Sequence, residues 1–156
     1  MAAKVTKKGP GLVALARDLK RLEKSEVLVG IPADKTLRKG DPINNASLLF
    51  LHSKGSPINH IPARPVLEPS IEENKKIIAS HLGAAAKAIL DKQPDQAQRE
   101  LELIGTLAAN AAKRYITSGE LAPNAPSTIA RKGSDQPLID TGQLRRSITF
   151  VVREEK

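Results

Sequence analysis

Apolar residues recur along this chain at two periods. Leu12, Leu15, Leu19 and Leu22 fall three or four residues apart with Arg17, Asp18, Lys20 and Arg21 between them, which predicts an amphipathic helix after Pro10. Proline suits that first turn, where its missing N–H has no intrahelical acceptor. From Ser25 the period becomes two, and Val27, Val29 and Ile31 share one face of a strand that Pro32 ends. A second alternating run, "SITFVVR", puts Ile148, Phe150 and Val152 on one face, and the two strands are expected to pair.

Between the strands the helical period dominates. "NNASLLFLHSKG" predicts a short helix capped by Asn44 or Asn45 and closed at Gly55. Ser70-x-x-Glu73 reads as a capping box opening a long helix, with Ile71, Ile78, Leu82, Ala85 and Ile89 as its buried stripe. "DKQPD" breaks it, and Pro94 starts a second long helix reaching Ser118, with Ala97, Leu101, Ile104, Ala108, Ala111 and Tyr115 facing inward. Both stripes are rich in alanine, so the two helices can approach closely as an antiparallel hairpin, with Gly119 placed to end the second.

Three loops join these elements, at 32–43, 56–69 and 119–139. The second carries Pro57, Pro62, Pro65 and Pro69 and reads as a stiff, extended tether. The stretch from Glu120 to Gln136 has only Leu121 and Ile129 as sizeable apolar groups. It is expected to be mobile in the isolated subunit and ordered by neighbours. The expected fold is α+β: a small antiparallel sheet packed with a long α-helical hairpin and a long Pro/Ser-rich loop. It forms a single domain over 10–156, preceded by a flexible basic arm at 1–9.

Composition narrows the chemistry. The 156 residues include no cysteine, which removes disulfides and thiolate metal sites. Aromatic residues make up 2%, sparse for a protein that stacks bases. No apolar run approaches the roughly 18–20 residues of a membrane span, so no membrane partner is expected. The net charge of +8 is gathered at Lys7-Lys8, Arg38-Lys39, Arg131-Lys132 and Arg145-Arg146. Such clusters suit phosphates along a DNA channel, contacted without reading sequence, or an acidic protein partner.

Asp140-Thr141-Gly142 matches the tripeptide of aspartic proteases. Those enzymes hold the Asp on a turn between strands, opposite a second carboxylate that shares its proton. Only fourteen residues follow Gly142 here, none of them glycine, and the chain is largely helical. Asp140-x-x-Gln143 fits a helix capping box instead. His52, His60 and His81 lack the spacing of a metal motif, Glu72-Glu73 suits a helix's first turn, and no phosphate-binding glycine loop is present. Neither a catalytic group nor a cofactor is expected.

"IPARPVLEPSI" and, beyond the helical hairpin, "LAPNAPSTIARKGSDQPLIDTGQLRRSITF" resemble the tail-completion and virion-morphogenesis proteins of long-tailed bacteriophages. The resemblance spans about Ser25 to Val152, including the "VLVGIP" strand. It is carried by Pro62, Arg64 and Pro65, by Ser127, Thr128, Ile129 and Lys132-Gly133, and by Asp140, Thr141, Gly142, Leu144 and Ser147. The family often has Phe where Val66 stands, and an aromatic residue where Gly119-Glu120-Leu121 stands. The resemblance implies a non-enzymatic virion protein of the neck, made in the host cytoplasm. It would join other copies of itself in a hexameric ring between the head–tail connector and the tail-tube or tail-terminator proteins, with genomic DNA passing through. A tail terminator, a transient morphogenesis factor of the same family, and a non-specific nucleic-acid-binding module are the alternatives. Ser127, Thr128 and Ile129 are the expected subunit interface. Arg64, held between prolines, is expected to make a charge-assisted contact with a carboxylate or backbone carbonyls of its own subunit or the next.

Overall fold

In the computed structural model, which describes residues 10–32, 43–118 and 120–154, the longest element is a 22-residue helix that organises the rest. In chain order the elements are α1 (Pro10–Glu23), β1 (Ser25–Gly30), α2 (Asn45–Lys54), a single 3-10 turn (Pro57–Asn59), α3 (Leu67–Glu73), α4 (Lys75–Leu90), α5 (Pro94–Tyr115), α6 (Pro126–Lys132), α7 (Gln143–Ser147) and β2 (Thr149–Glu154). The fold is α+β. The basic pairs Lys7-Lys8 and Arg38-Lys39 lie outside the described residues, as does Gly119.

β1 and β2 pair antiparallel, with Val27 opposite Val152 and Val29 opposite Phe150, in the alternation the sequence predicts. This two-stranded sheet packs on α5. α4 turns back onto α5 through Asp91–Gln93, and Ala85, Ala88, Ile89 and Ala97 close the contact with Leu15 and Leu22 of α1 against them. Leu12, Val13 and Leu19 stay exposed, because only one edge of α1 meets that small-residue cluster. The second cluster joins Leu49, Val66, Ala112, Ile116, Leu121, Leu144 and Ile148, and so draws five separate parts of the chain together. Ile116 and Ile148 are almost fully enclosed, and each contributes about 1.5–3 kcal/mol by leaving water.

Four expectations change. The inward stripe of α4 keeps Ala85 and Ile89 but not Leu82, which is exposed, nor Ile71, which lies exposed in α3; His81 takes the place of Leu82, and Glu100 of α5 offers its Oε2 to Nδ1 at 2.7 Å. Gln96 Nε2 donates to the other oxygen at 2.7 Å, and these two hydrogen bonds hold the Glu100 carboxyl below its ordinary pKa. Ser70 does not open the long helix. A helical turn is already running at Leu67, with Pro69 tolerated in its first turn, and Ser70 Oγ donates back to the Leu67 carbonyl at 2.9 Å. Asn74 then separates α3 from α4, and its Nδ2 donates to the Ser70 carbonyl at 2.8 Å. The third change is at α5, whose helix ends at Tyr115 instead of Ser118, with Thr117 and Ser118 hydroxyls donating to the carbonyls of Arg114 and Tyr115.

The fourth change matters most for function. The 119–139 region is not a continuous loop, since it holds α6, started by Pro126 and stopped by Gly133 at φ 67°. Among the described residues no helix is long and apolar enough to cross a membrane.

Candidate functional site

The 56–69 segment is not an extended tether. Asn44 caps α2 by accepting from Ser47 N at 2.8 Å, and Gly55 ends it at φ 72°. A side chain at Gly55 would strike Ala63 N and Ile61 O, both 2.8 Å from an ideal Cβ, so the chain can double back only over glycine. Ser56 and Ile61 then exchange backbone hydrogen bonds at 2.8 and 2.9 Å around the 3-10 turn, with His60 left-handed at φ 51°. Arg64 N donates to the His52 carbonyl at 2.6 Å, which fastens the returning strand to the end of α2.

That turn aims the Arg64 side chain inward. It is 5% exposed, and its Nε and Nη2 donate to the carbonyls of Ala122 and Pro123, both at 2.7 Å. The expected charge-assisted contact is therefore to backbone carbonyls of its own chain. These bonds fix the segment leading into α6. From the last residue of that helix Lys132 Nζ donates to the Gln136 carbonyl at 2.7 Å, and Asn124 Nδ2, ahead of it, donates to the Asp135 carbonyl at 3.0 Å, tying the exit of α6 to its entry.

The third wall is the turn before α7. Asp140 does not cap this helix: Gly142, at φ 74°, is the cap residue, and no side chain closes the first turn. The capping box fails because Gly142 swings the chain out of helical geometry, leaving Asp140 and Thr141 exposed ahead of it. Leu138, at φ 58°, turns the chain so that Leu138 and Ile139 pack on the core while Asp140 faces out. Ser147, at the end of α7, accepts from Asn45 Nδ2 at 2.9 Å and donates to the Gln143 carbonyl at 2.8 Å, linking α7 to α2.

These walls enclose a cleft of about 340 Å³. His52, His60, Pro62 and Arg64 line one side, Thr128, Arg131 and Lys132 the second, and Asp140, Thr141, Gly142 and Leu144 the third. Among the described residues, most of the site positions singled out in the sequence thus meet in one place. Ser127 is exposed on α6 and Ile129 is half-buried there, and neither lines the cleft. Pro65 is exposed and does not line the cleft. Arg145 and Arg146 are also outside it, with Arg145 Nε donating to the Lys113 carbonyl and Arg146 Nη2 to the Thr141 carbonyl, each at 3.0 Å.

The cleft is electropositive. Arg64, Arg131 and Lys132 outnumber Asp140, the one carboxylate among its lining residues. Burial lowers the Arg64 pKa from its usual value, yet a guanidinium stays charged at neutral pH. His52 reports this field. Burial first, and then the charges of Arg64 and Lys132, push its pKa down, and its buried Nδ1 has no hydrogen-bond partner among the described residues. The sequence marked His52 only as a histidine without metal spacing and Asn45 only as a candidate cap, because the Asn45 partner Ser147 lies 102 residues away and the burial of His52 comes from tertiary packing.

Asp140 sits at the entrance to a helix, not between two strands, and no second carboxylate lines the cleft beside it. Among the described residues no three His, Asp or Glu side chains gather as metal ligands. No family model, curated protein or solved structure matches this chain.

Proposed function

We propose that the chain is a non-enzymatic structural subunit of a long-tailed phage neck, a tail-completion or head–tail joining protein that assembles as a ring around the DNA channel. The observation that carries this reading is the convergence on Arg64. The two blocks of sequence that resemble the neck proteins, 61–69 and 127–148, lie far apart in the chain and meet across one cleft, with Arg64 holding the approach to the second block. A resemblance made of scattered coincidences would have no reason to assemble into a single surface. The exposed Ser127 of α6 suits contact with the next subunit of a ring, where each copy presents one patch to a different patch of its neighbour.

Quantitative mass spectrometry of purified particles from a phage carrying this sequence tests the proposal. The protein is expected in the virion, at a copy number matching one hexameric ring. Its absence from complete particles would leave only a transient role in assembly and would overturn the neck-subunit reading. The nucleic-acid-module alternative predicts DNA binding by the isolated subunit, falling steeply with salt.

A further inference from the structure

The cleft beside Arg64 holds a charge that the chain itself does not neutralise. Arg64 is 5% exposed, and its two hydrogen bonds go to carbonyls, which carry no net charge. No carboxylate among the described residues pairs with it, and its Nη1 has no hydrogen bond there. Arg131, on the same cleft, is exposed and unpaired among the described residues. A buried cation without a counter-charge is costly, and the cost falls when an anion enters beside it.

We propose that this cleft is a docking site for an extended acidic segment of another protein, in which a glutamate or aspartate sits next to an apolar residue. The carboxylate enters between Arg64 and Arg131, and the apolar neighbour lies against Leu48 and Leu144. Shape and lining favour a peptide over nucleic acid. No Phe, Tyr or Trp lines the cleft to stack a base, and a duplex backbone cannot reach a guanidinium so nearly enclosed. The net charge of +8 favours a different, acidic protein over a second copy of this chain. This inference stands apart from the neck reading, since an acidic partner could dock on the cleft in any assembly.

Fluorescence anisotropy with a labelled peptide of alternating leucine and glutamate tests it, beside its leucine–glutamine counterpart and an oligothymidylate of matched length. The acidic peptide is expected to bind full-length protein at low ionic strength, and the glutamine version to bind at least about tenfold more weakly. Arg131→Glu should weaken the acidic peptide by about tenfold or more, whereas Lys87→Glu, the same change of net charge on α4, should alter it by less than about twofold. Asp140→Asn removes the competing carboxylate and should tighten binding. Three results would overturn the proposal: equal losses from Arg131→Glu and Lys87→Glu, tighter binding of the oligothymidylate, or self-association lost on Arg131→Glu while the peptide fails to bind. All three substituted positions are surface ones, so far-ultraviolet circular dichroism is expected to report an unchanged fold.

Discussion

The ring of Phe150 lies directly against Gly105. An ideal Cβ on that glycine would fall 2.1 Å from Cδ2 and 2.4 Å from Cγ, closer than any real contact. Gly105 sits within α5 among Leu101, Ile104, Ala108 and Ala109, so a missing side chain is what lets the sheet come down onto the helix. Alanine would gain about 1 kcal/mol in helix propensity but would displace the ring, at about 1–3 kcal/mol from overpacking. Gly105→Ala is therefore expected to lower stability in urea denaturation. Phe150→Leu should cost less in the Gly105→Ala background than in the wild type, and independent costs would mean the two residues do not share one space.

Arg64 links two distant segments at the cleft, and its value is geometric as well as electrostatic. One planar guanidinium satisfies two successive carbonyls, at Ala122 and Pro123, which a lysine ammonium cannot span in the same way. Arg64→Ala should cost about 2–3 kcal/mol through two lost charge-assisted bonds and stranded acceptors. Arg64→Lys should recover less than half of that. Hydrogen exchange supplies the local readout, with faster exchange in α6 in both variants while α4 and α5 keep their protection. A full rescue by lysine would show that charge alone matters.

His52 gives the site a pH dependence of definite sign. Its folded-state pKa lies below the ordinary value of 6.5, through burial first and then Arg64 and Lys132. The unfolded chain therefore takes up a proton before the folded chain does. Stability contributed at this position is fully present above the unfolded pKa and falls as pH drops below it, levelling off once the folded form also protonates. Denaturant midpoints measured between pH 7.5 and 5.5 should decline in the wild type, and the decline should shrink in His52→Gln (pH values are about one unit either side of the unperturbed histidine). Lys132→Gln, which removes one of the two charges acting on His52, should reduce it partly. An identical slope in wild type and His52→Gln would place the titrating group elsewhere.

The parts of the fold legible in the sequence are those set by local period. Val27, Val29, Phe150 and Val152 alternate because one face of a strand meets α5, and the Ala97–Tyr115 stripe repeats because one face of a helix does. The sequence reading misses α6: the helix buries no residue fully, so it has no apolar stripe, and the Pro/Ser-rich composition points to a loop although Pro126 and Gly133 stand at its two ends. The doubling back at Gly55 was hidden among prolines that individually favour extension. Many residues of the cleft were singled out in the sequence, but their meeting was not legible. The partners of Arg64 are backbone carbonyls, which every residue carries, and they meet it only in the folded chain, 58 and 59 residues on.

The Asp140-Thr141-Gly142 tripeptide separates by substitution into one tolerant and one demanding position. Asp140 is exposed and caps nothing, so Asp140→Ala should change stability by less than about 0.5 kcal/mol. Gly142 holds φ 74°, and a Cβ there would also stand 3.1 Å from Arg146 Nη1. Gly142→Ala should cost about 1–2 kcal/mol from the left-handed backbone and the crowded guanidinium. Thermal denaturation of the two variants side by side checks the contrast. A larger loss for Asp140→Ala than for Gly142→Ala would restore the capping role to the aspartate.

Ser147 occupies the end of the same motif, and its role follows from Asn45. Asn45 is 2% exposed at the first position of α2, and its Nδ2 donates to Ser147 Oγ, 102 residues away, while its Oδ1 is buried without a partner among the described residues. The amide thus already has one unsatisfied atom, and Ser147→Ala would strand its Nδ2 as well. Leaving that donor buried should cost about 1–3 kcal/mol, more than a typical surface serine. Asn45→Ala removes the unsatisfied carbonyl together with the donor, so in that background Ser147→Ala should cost well under half as much. A double-mutant cycle in urea measures the difference directly. Additive losses would show that the hydroxyl matters through its bond to the Gln143 carbonyl within α7, and not through its hold on α2.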